Sequence, residues 1–336
     1  MELIEGDCLT HQQFVKQLRP DRNLGLELVR ATEAAAITAR NFIGKGNKNA
    51  ADGAAVDAMR SFLATVDMRG VVVIGEGEKD NAPMLFNGEL VGSGQGPLCD
   101  IAVDPIDGTS LAAAGRQNAL SVIAVTDRGA MLDASSVYYM NKLVAGKAAV
   151  GLLDIRLPIA ENIRLLAKAT NKDVSEIVVA CLDRPRHEKL IEEIREAGAS
   201  TRLLLDGDVA GGIQAAMESS RIDICVGIGG SPEGIVTTCA IKALGGFIQG
   251  ILAPTDEEES ERVVAAGLKL DYVYEADEMV NSNNTLFVAT GITDGSMLAG
   301  VRRKGSVIET DSIILRSVTG TVRRIRSEYQ LENLTK

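Results

Sequence analysis

The hexapeptide Asp104-Pro105-Ile106-Asp107-Gly108-Thr109 follows the apolar run Ile101-Ala102-Val103, so a pair of carboxylates stands where a buried strand gives way to a Pro/Gly turn. Hard divalent cations take such donors. Carboxylate oxygens suit Mg²⁺ or Mn²⁺, Gly108 lets the backbone approach an anion, and Thr109 adds a hydroxyl beside them. A strand ending in an Asx-type turn accounts for the same residues without chemistry, because D-P and D-G pairs mark turns by themselves. Further acids are placed in a similar way. Gly75-Glu76-Gly77-Glu78-Lys79-Asp80 follows Val71-Val72-Val73-Ile74. Acids interleaved with glycine straight after a short strand repel one another unless a cation is present, which makes Glu76 a candidate ligand. Asp52 falls in the first turn of a helix read over Ala51 to Val66, where the helix dipole alone favours an acid. Glu233 follows Gly229-Gly230-Ser231-Pro232, read as Ser231 at the N-cap and Pro232 at N1, and local capping accounts for it as well. Taken together, Asp52, Glu76, Asp104, Asp107 and Glu233 make a carboxylate set suited to a pair of Mn²⁺ or Mg²⁺ ions about 4 Å apart, which activate water for phosphoryl transfer. In that set Thr109 orients the attacking water.

The composition narrows what else the chain can be. Its 336 residues, 46% hydrophobic and 24% charged, are enough for one large or two ordinary globular domains. A net charge of -11 argues against nucleic acid or an anionic membrane as partner, since both need a basic footprint. The 5 cysteines are scattered without a CxxC and the histidines number only 2, which points to reduced thiols and leaves little for a zinc site or a Ser-His-Asp relay. No apolar run approaches the roughly 18 residues of a membrane span, so a soluble cytoplasmic protein is expected.

The elements that must position the acids follow in order. Residues 1–21 read as an N-terminal extension, and Leu24 to Phe42 carries apolar residues at helical spacing. The basic stretch Gly44 to Asn49 reads as a loop, in which Lys48 either holds a phosphate or is simply solvated. Strands are expected at Val71–Ile74, through Ile101–Val103 and at Ala119–Val125, with mixed strand and turn from Tyr138 to Leu157 and a helix over Ala160–Ala169. Beyond residue 170 strands and helices alternate: strands Ile177–Leu182, Thr201–Leu205 and Ile222–Ile228, helices Arg184–Ala197 and Asp208–Glu218, and a helix from Ser231 to Gly245. This pattern implies a βα layer and sets a boundary near residue 170, between a metal-binding half, 22–170, and a substrate-binding half, 171–336. Pro254–Glu261 reads as a surface loop, and strands close the chain at Thr285–Thr290, Val307–Thr310, Ile313–Arg316 and Thr321–Ile325. Arg302, Arg303, Arg323, Arg324 and Arg326 read mainly as a solvated strand face. The junction Leu205-Asp206-Gly207-Asp208-Val209 is similar to the nucleophile motif of haloacid-dehalogenase-type phosphatases, although that motif belongs early in its catalytic core. A capped helix or a site for substrate hydroxyls explains it better.

The ordered set Lys48-Asn49-x-Ala51-Asp52-Gly53, Val73-Ile74-Gly75-Glu76-Gly77-Glu78, Ala82-Pro83-Met84-Leu85, Asp104 to Thr109, Arg184-Pro185-Arg186-His187, Asp206-Gly207-Asp208-Val209-Ala210 and Pro232-Glu233-Gly234 resembles the class II (GlpX-type) fructose-1,6-bisphosphatases over about residues 24–326. The resemblance implies a mixed α/β chain with the layered αβαβα carbohydrate-phosphatase fold shared with inositol monophosphatases. It implies Mn²⁺- or Mg²⁺-dependent removal of the 1-phosphate of fructose-1,6-bisphosphate in gluconeogenesis, and a homo-oligomer, dimer or tetramer. By the same resemblance Asp52 and Glu76 hold one metal, and Asp104, Asp107 and Glu233 the other. Lys48, Asp107, Gly108 and Thr109 meet the scissile phosphate, while Tyr139, Arg184, Pro185, Arg186, Asp206, Gly207, Asp208 and Gly230 bind the sugar and its second phosphate. The residue types agree: arginine's fork matches phosphate, and Asp206 and Asp208 are acceptors for sugar hydroxyls. Two departures stand out. Asp107 occupies a position where many class II members carry Glu, and Tyr138-Tyr139 is a doubled tyrosine, of which the following Met140-x-Lys142-Leu143 favours Tyr139. A dual enzyme that also takes sedoheptulose-1,7-bisphosphate fits the same residues. A non-catalytic sugar-phosphate sensor would lack a ligand or the Thr109 hydroxyl, and neither is missing.

Overall fold

The computed structural model of the chain describes residues 24–75 and 85–334. Helix α1 (Leu24–Ala39) buries Leu28, Ala31, Ala35 and Ala39, the stripe that its apolar spacing predicts, and a 3₁₀ turn, Arg40–Phe42, closes it. Asn47 caps the next helix by accepting from the Ala50 amide at 3.1 Å, so α2 runs Lys48–Leu63. This corrects the expected start at Ala51: Lys48 and Asn49 form the first turn of a helix and not a loop, and Asp52 lies in the second turn.

Strands β1 (Arg69–Ile74), β2 (Leu90–Val91), β3 (Leu98–Asp107) and β4 (Leu120–Asp127) are followed by the short helix α3 (Thr109–Ala113) between β3 and β4, then by β5 (Tyr139–Ala145) and helix α4 (Ile159–Thr170). The alternating segment comprises β6 (Val178–Leu182), α5 (Glu188–Glu196), β7 (Ser200–Leu204), α6 (Val209–Ala216), β8 (Ile224–Gly230), α7 (Ser231–Leu244) and β9 (Phe247–Leu252). Helix α8 (Glu257–Ala265), β10 (Tyr274–Glu275) and strands β11 (Leu286–Gly291), β12 (Arg302–Lys304), β13 (Val307–Arg316) and β14 (Thr321–Gln330) complete the frame. The first sheet has the order β12-β13-β11-β4-β3-β1-β2, with β14 also paired to β13, and the second has the order β10-β9-β5-β8-β6-β7. Strands from both sides of residue 170 enter each sheet.

Three readings need correction. The strands expected at Val307–Thr310 and Ile313–Arg316 are one strand, β13, because antiparallel pairing with β14 continues through Asp311 and Ser312, and Asp311 is occupied by the Ala299 amide at 2.8 Å. The loop expected at Pro254–Glu261 contains the start of α8, capped by Asp256 on the Glu259 amide at 2.8 Å. Glu259 turns inward and accepts from the amides of Tyr138 and Thr255. Strand β9 was not expected at all, although it lies between β5 and β10.

Period-2 alternation sorts the side chains into layers. On β4, Leu120, Val122 and Ala124 join one core with Ile235 and Val236 of α7, while Ile123 and Val125 join another with Leu28 and Met59 of α1 and α2. On the second sheet Met140 and Val144 share the α7 core, and Leu143 and Ala145 pack with Ile159 and Ile163 of α4. Helices α1 and α2, the first sheet, α6 with α7, the second sheet, and α4 with α5 therefore stack as αβαβα. Among the described residues no helix is long and apolar enough to cross a membrane.

Candidate active site

The acids of Asp104-Pro105-Ile106-Asp107 need help to share a face. In a regular strand, residues three apart point to opposite sides. Here Asp104 pairs with Val122 and Asp107 with Leu120, so β3 spends one more residue than β4 over that interval and forms a bulge. The bulge restores parity. Both acids stand opposite residues of the middle-layer core, Leu120 and Val122. Pro105, which has no N–H for the ladder, falls inside the bulge, and Asp104 Oδ1 accepts the Ile106 amide at 3.0 Å. The strand thus continues to Asp107 instead of ending at Asp104. Gly108 then adopts φ +81°, and its carbonyl starts α3, with Thr109 donating its hydroxyl to the Ile106 carbonyl at 3.0 Å. Lys48, at the head of α2, donates to Ser110 Oγ at 2.7 Å and so stands beside this turn.

The second sheet delivers its residues from the opposite side. Asp206-Gly207-Asp208 leads from β7 into α6, and Gly229-Gly230 leads from β8 into α7. Gly230, not Ser231, is the N-cap of α7; Ser231 is buried and donates its hydroxyl to the Val137 carbonyl, which leaves Pro232 at N2. Close approach explains the glycines. A Cβ on Gly207, which has φ +65°, would lie 3.0 Å from both carboxylate oxygens of Asp107, and one on Gly230 would lie 1.7 Å from Glu233 Oε2. Asp107, Asp206, Asp208 and Glu233 are thereby gathered at the N-termini of α6 and α7, whose dipoles favour anions.

The electrostatics follow from burial and crowding. Burial pushes the Asp107 carboxyl well above the ordinary carboxylate range, and the charges of Asp208, Glu233 and Asp206 push it further, with Lys142 opposing. Burial also raises Glu233, against the pull of Lys142. Among the described residues, Asp107 Oδ2 and Glu233 Oε2 are buried and have no hydrogen-bond partner. Orphaned carboxylate oxygens of this kind are costly unless a cation serves them, and hard divalent ions fit this donor set. Among the described residues no group of three or more acid, histidine or cysteine side chains is so placed that it could hold a metal ion. Glu76, expected as a ligand, lies outside the described residues, as does Ala82-Pro83-Met84. Asp52 is partly buried on α2, which packs on β3 and α3.

Around this centre, Arg184 donates to the Leu205 carbonyl at 2.6 Å and to Asp206 Oδ1 at 3.0 Å. Asp206, the first acid of the nucleophile-like motif, is therefore held by an arginine. Arg186 donates to the Ile228 carbonyl through Nε and Nη2, at 3.1 and 2.9 Å, and its guanidinium lies 4.9 Å from the Tyr139 ring centroid. Tyr138 is largely exposed, so of the tyrosine pair it is Tyr139 that meets an expected site residue. His187, next to Pro185 and Arg186, is buried: its Nε2 accepts the Ile228 amide at 2.8 Å, which makes Nδ1–H the donor to the Leu182 carbonyl, also at 2.8 Å. A cavity of about 300 Å³, lined by Asn141, Leu143, Ile159, Arg186 and Leu190 among others, lies on the α4–α5 side of the second sheet, away from the acids.

Sequence reasoning assigned no role to Lys142. Its ammonium lies 2.5 Å from Asp208 Oδ2 and donates to the Gly230 carbonyl at 3.0 Å. The signal was present: a lysine at the even position between Met140 and Val144, in a strand whose even positions face a core.

Over most of its length the chain is similar to known proteins. The family described as bacterial fructose-1,6-bisphosphatase, glpX-encoded, matches residues 22–329. The chain is 43% identical over 329 residues to the fructose-1,6-bisphosphatase class 2 of Haemophilus influenzae, covering 94% of this chain and 98% of that protein. It is 44% identical over 324 residues to fructose-1,6-bisphosphatase 1 class 2 of Escherichia coli K12, covering 93% and 96%.

Proposed function

Because the chain belongs to the glpX-encoded bacterial fructose-1,6-bisphosphatase family, we propose that the site between its two sheets hydrolyses the 1-phosphate of fructose-1,6-bisphosphate, giving fructose-6-phosphate and phosphate. The observation that carries this reading is the pair of buried carboxylate oxygens without a partner among the described residues, one on Asp107 at the end of β3 next to Thr109 and one on Glu233 in the first turn of α7. Family membership brings a divalent-metal requirement, and we assign it to Mn²⁺ or Mg²⁺ on the oxygen-only donor set. Asp104, Asp107 and Glu233 would hold one such ion and Asp52 and Glu76 the other, and the ions would supply Lewis acidity for the phosphoryl oxygens and lower the pKa of water.

The chain's own groups have distinct tasks. Gly108 lets the backbone approach the scissile phosphate, and Lys48 stands next to it as a cation. The Thr109 hydroxyl, fixed on the Ile106 carbonyl, orients the attacking water through its oxygen lone pairs. Asp206 and Asp208 accept from sugar hydroxyls, and the backbone of Gly207 and Gly230 borders the sugar. Arg184 and Arg186, with Pro185 fixing the turn between them and Tyr139 flanking, hold the second phosphate. A cytoplasmic homo-oligomer, dimer or tetramer, serving gluconeogenesis completes the reading.

Phosphate release from fructose-1,6-bisphosphate, sedoheptulose-1,7-bisphosphate and inositol-1-phosphate, each in Mn²⁺, Mg²⁺ and EDTA, tests it. Metal-dependent release from the fructose substrate is expected, and its ratio to the sedoheptulose substrate decides whether the enzyme serves both sugars. Silence on all of them would refute the assignment.

A further inference from the structure

Lys142 is a charged side chain that the reading above leaves without a task, and its surroundings are unusual. It stands on β5 facing the middle layer, 5% exposed, between the buried Met140 and Val144. An ammonium at such depth costs several kcal/mol unless it is paired and hydrogen-bonded. It is both, through Asp208 at 2.5 Å and the Gly230 carbonyl at 3.0 Å. Both partners are residues assigned to the sugar. The adjoining glycines show how tightly the group is packed: a Cβ on Gly229 would lie 2.0 Å from Asp208 Oδ2 and 2.9 Å from Lys142 Nζ, while one on Gly230 would lie 1.7 Å from Glu233 Oε2. The ammonium, the Asp208 carboxylate and the Glu233 carboxylate therefore rest on two consecutive glycines.

We propose that Lys142 is a positioning residue with two opposed effects: it aims Asp208 and the Gly230 carbonyl at the sugar, and its fixed positive charge limits how tightly the neighbouring acids hold divalent cations. A fixed cation inside an acidic cluster repels a second cation, whereas Asp208 stripped of its partner is free to swing toward the metal side. Loss of Lys142 therefore separates two affinities that ordinary structural damage would weaken together. The inference rests on the metal-dependent reading of the site.

The test compares wild type, Lys142→Met, Asp208→Asn and the double variant, using calorimetric titration of the metal-free proteins with Mn²⁺ and steady-state kinetics on fructose-1,6-bisphosphate at saturating Mn²⁺. Lys142→Met is expected to bind Mn²⁺ about tenfold more tightly, from the removal of one nearby charge, and to raise KM about tenfold or more with kcat within about threefold. The double variant, which loses one charge of each sign, is expected to return to within about threefold of the wild-type Mn²⁺ affinity while KM stays high. Should Lys142→Met fail to fold, the step from Asp208→Asn to the double variant removes the same ammonium and is expected to tighten Mn²⁺ about tenfold. Unchanged or weaker Mn²⁺ binding on loss of Lys142, or an unchanged KM, would overturn the inference while leaving the metal reading intact. Absence of Mn²⁺ binding by the wild type would overturn both.

Discussion

At the scale of single residues, the site is defined by what has no partner and by what has no side chain. Thr109 is the case where chemistry and fold separate most cleanly: its hydroxyl makes one hydrogen bond, to the Ile106 carbonyl, and sits at the first position of α3. Thr109→Ala is expected to keep Mn²⁺ and substrate binding while kcat falls ~10²-fold, since it removes only orientation in the transition state. Near-normal turnover would remove Thr109 from the mechanism. Gly230 makes the complementary point, because its backbone angles suit any residue and only space forbids a side chain. Gly230→Ala should push Glu233 aside and weaken Mn²⁺ by about tenfold or more, a loss of one carboxylate ligand's contribution; titration of the metal-free protein reads this directly. Wild-type affinity in Gly230→Ala would place the ion elsewhere.

At the scale of elements, buried polar residues tie loops to strands and so hold the site's margins. His187 bridges the Leu182 carbonyl and the Ile228 amide, joining the ends of β6 and β8 beneath Arg186. Burial holds its pKa below the ordinary 6.5, against the Leu182 hydrogen bond. In the unfolded chain the imidazole takes up a proton at higher pH than in the folded one, so the stability that neutral His187 contributes is present above about 6.5 and is lost as pH falls through that value toward the folded pKa. Melting temperature against pH should show this acid-side decline, and the decline should shrink in His187→Gln, which carries no titrating proton. An unaltered profile in the variant would mean that other groups govern it. Glu259 plays a similar part on α8: its buried carboxylate accepts the Tyr138 amide at 2.6 Å and the Thr255 amide and hydroxyl at 2.6 and 2.9 Å. Glu259→Ala removes the carboxylate that holds the Tyr138 amide and Thr255 next to the start of β5, and should cost about 2 kcal/mol in denaturant unfolding. A loss below 1 kcal/mol would show that water replaces the carboxylate.

At the scale of the whole molecule, the layered stack decides which groups solvent reaches. Cys99, Cys181, Cys225 and Cys239 are all buried. Burial pushes the Cys181 and Cys239 thiols up to about 12, and raises Cys225 as well. A thiol reacts as its thiolate, so these groups should be inert in the native state at neutral pH. Iodoacetamide labelling followed by mass mapping should find these four unmodified in the folded protein and modified after denaturation. Labelling of any of them in the native protein would show that the layers open on the timescale of the experiment. Cys8 lies outside the described residues.

Local pattern alone carried much of the molecule. The 3.6- and 2-residue periodicities located α1 and most strands, because amphipathic spacing records which face is buried whatever covers it. The acids at element ends, and the order of the family's motifs, were equally legible, since residue type and spacing along the chain are sequence properties. Other features depended on pairing and packing between distant segments. Asp104 and Asp107 share a face only because the register with Leu120 and Val122 inserts a bulge, and register is a property of two strands. The convergence of Asp107 with Gly207, Asp208 and Glu233 requires both sheets to close on α6 and α7, bringing together residues about a hundred positions or more apart. Lys142 could acquire its role only there, because a lysine within an apolar strand is an anomaly until the carboxylate that neutralises it arrives from the head of α6.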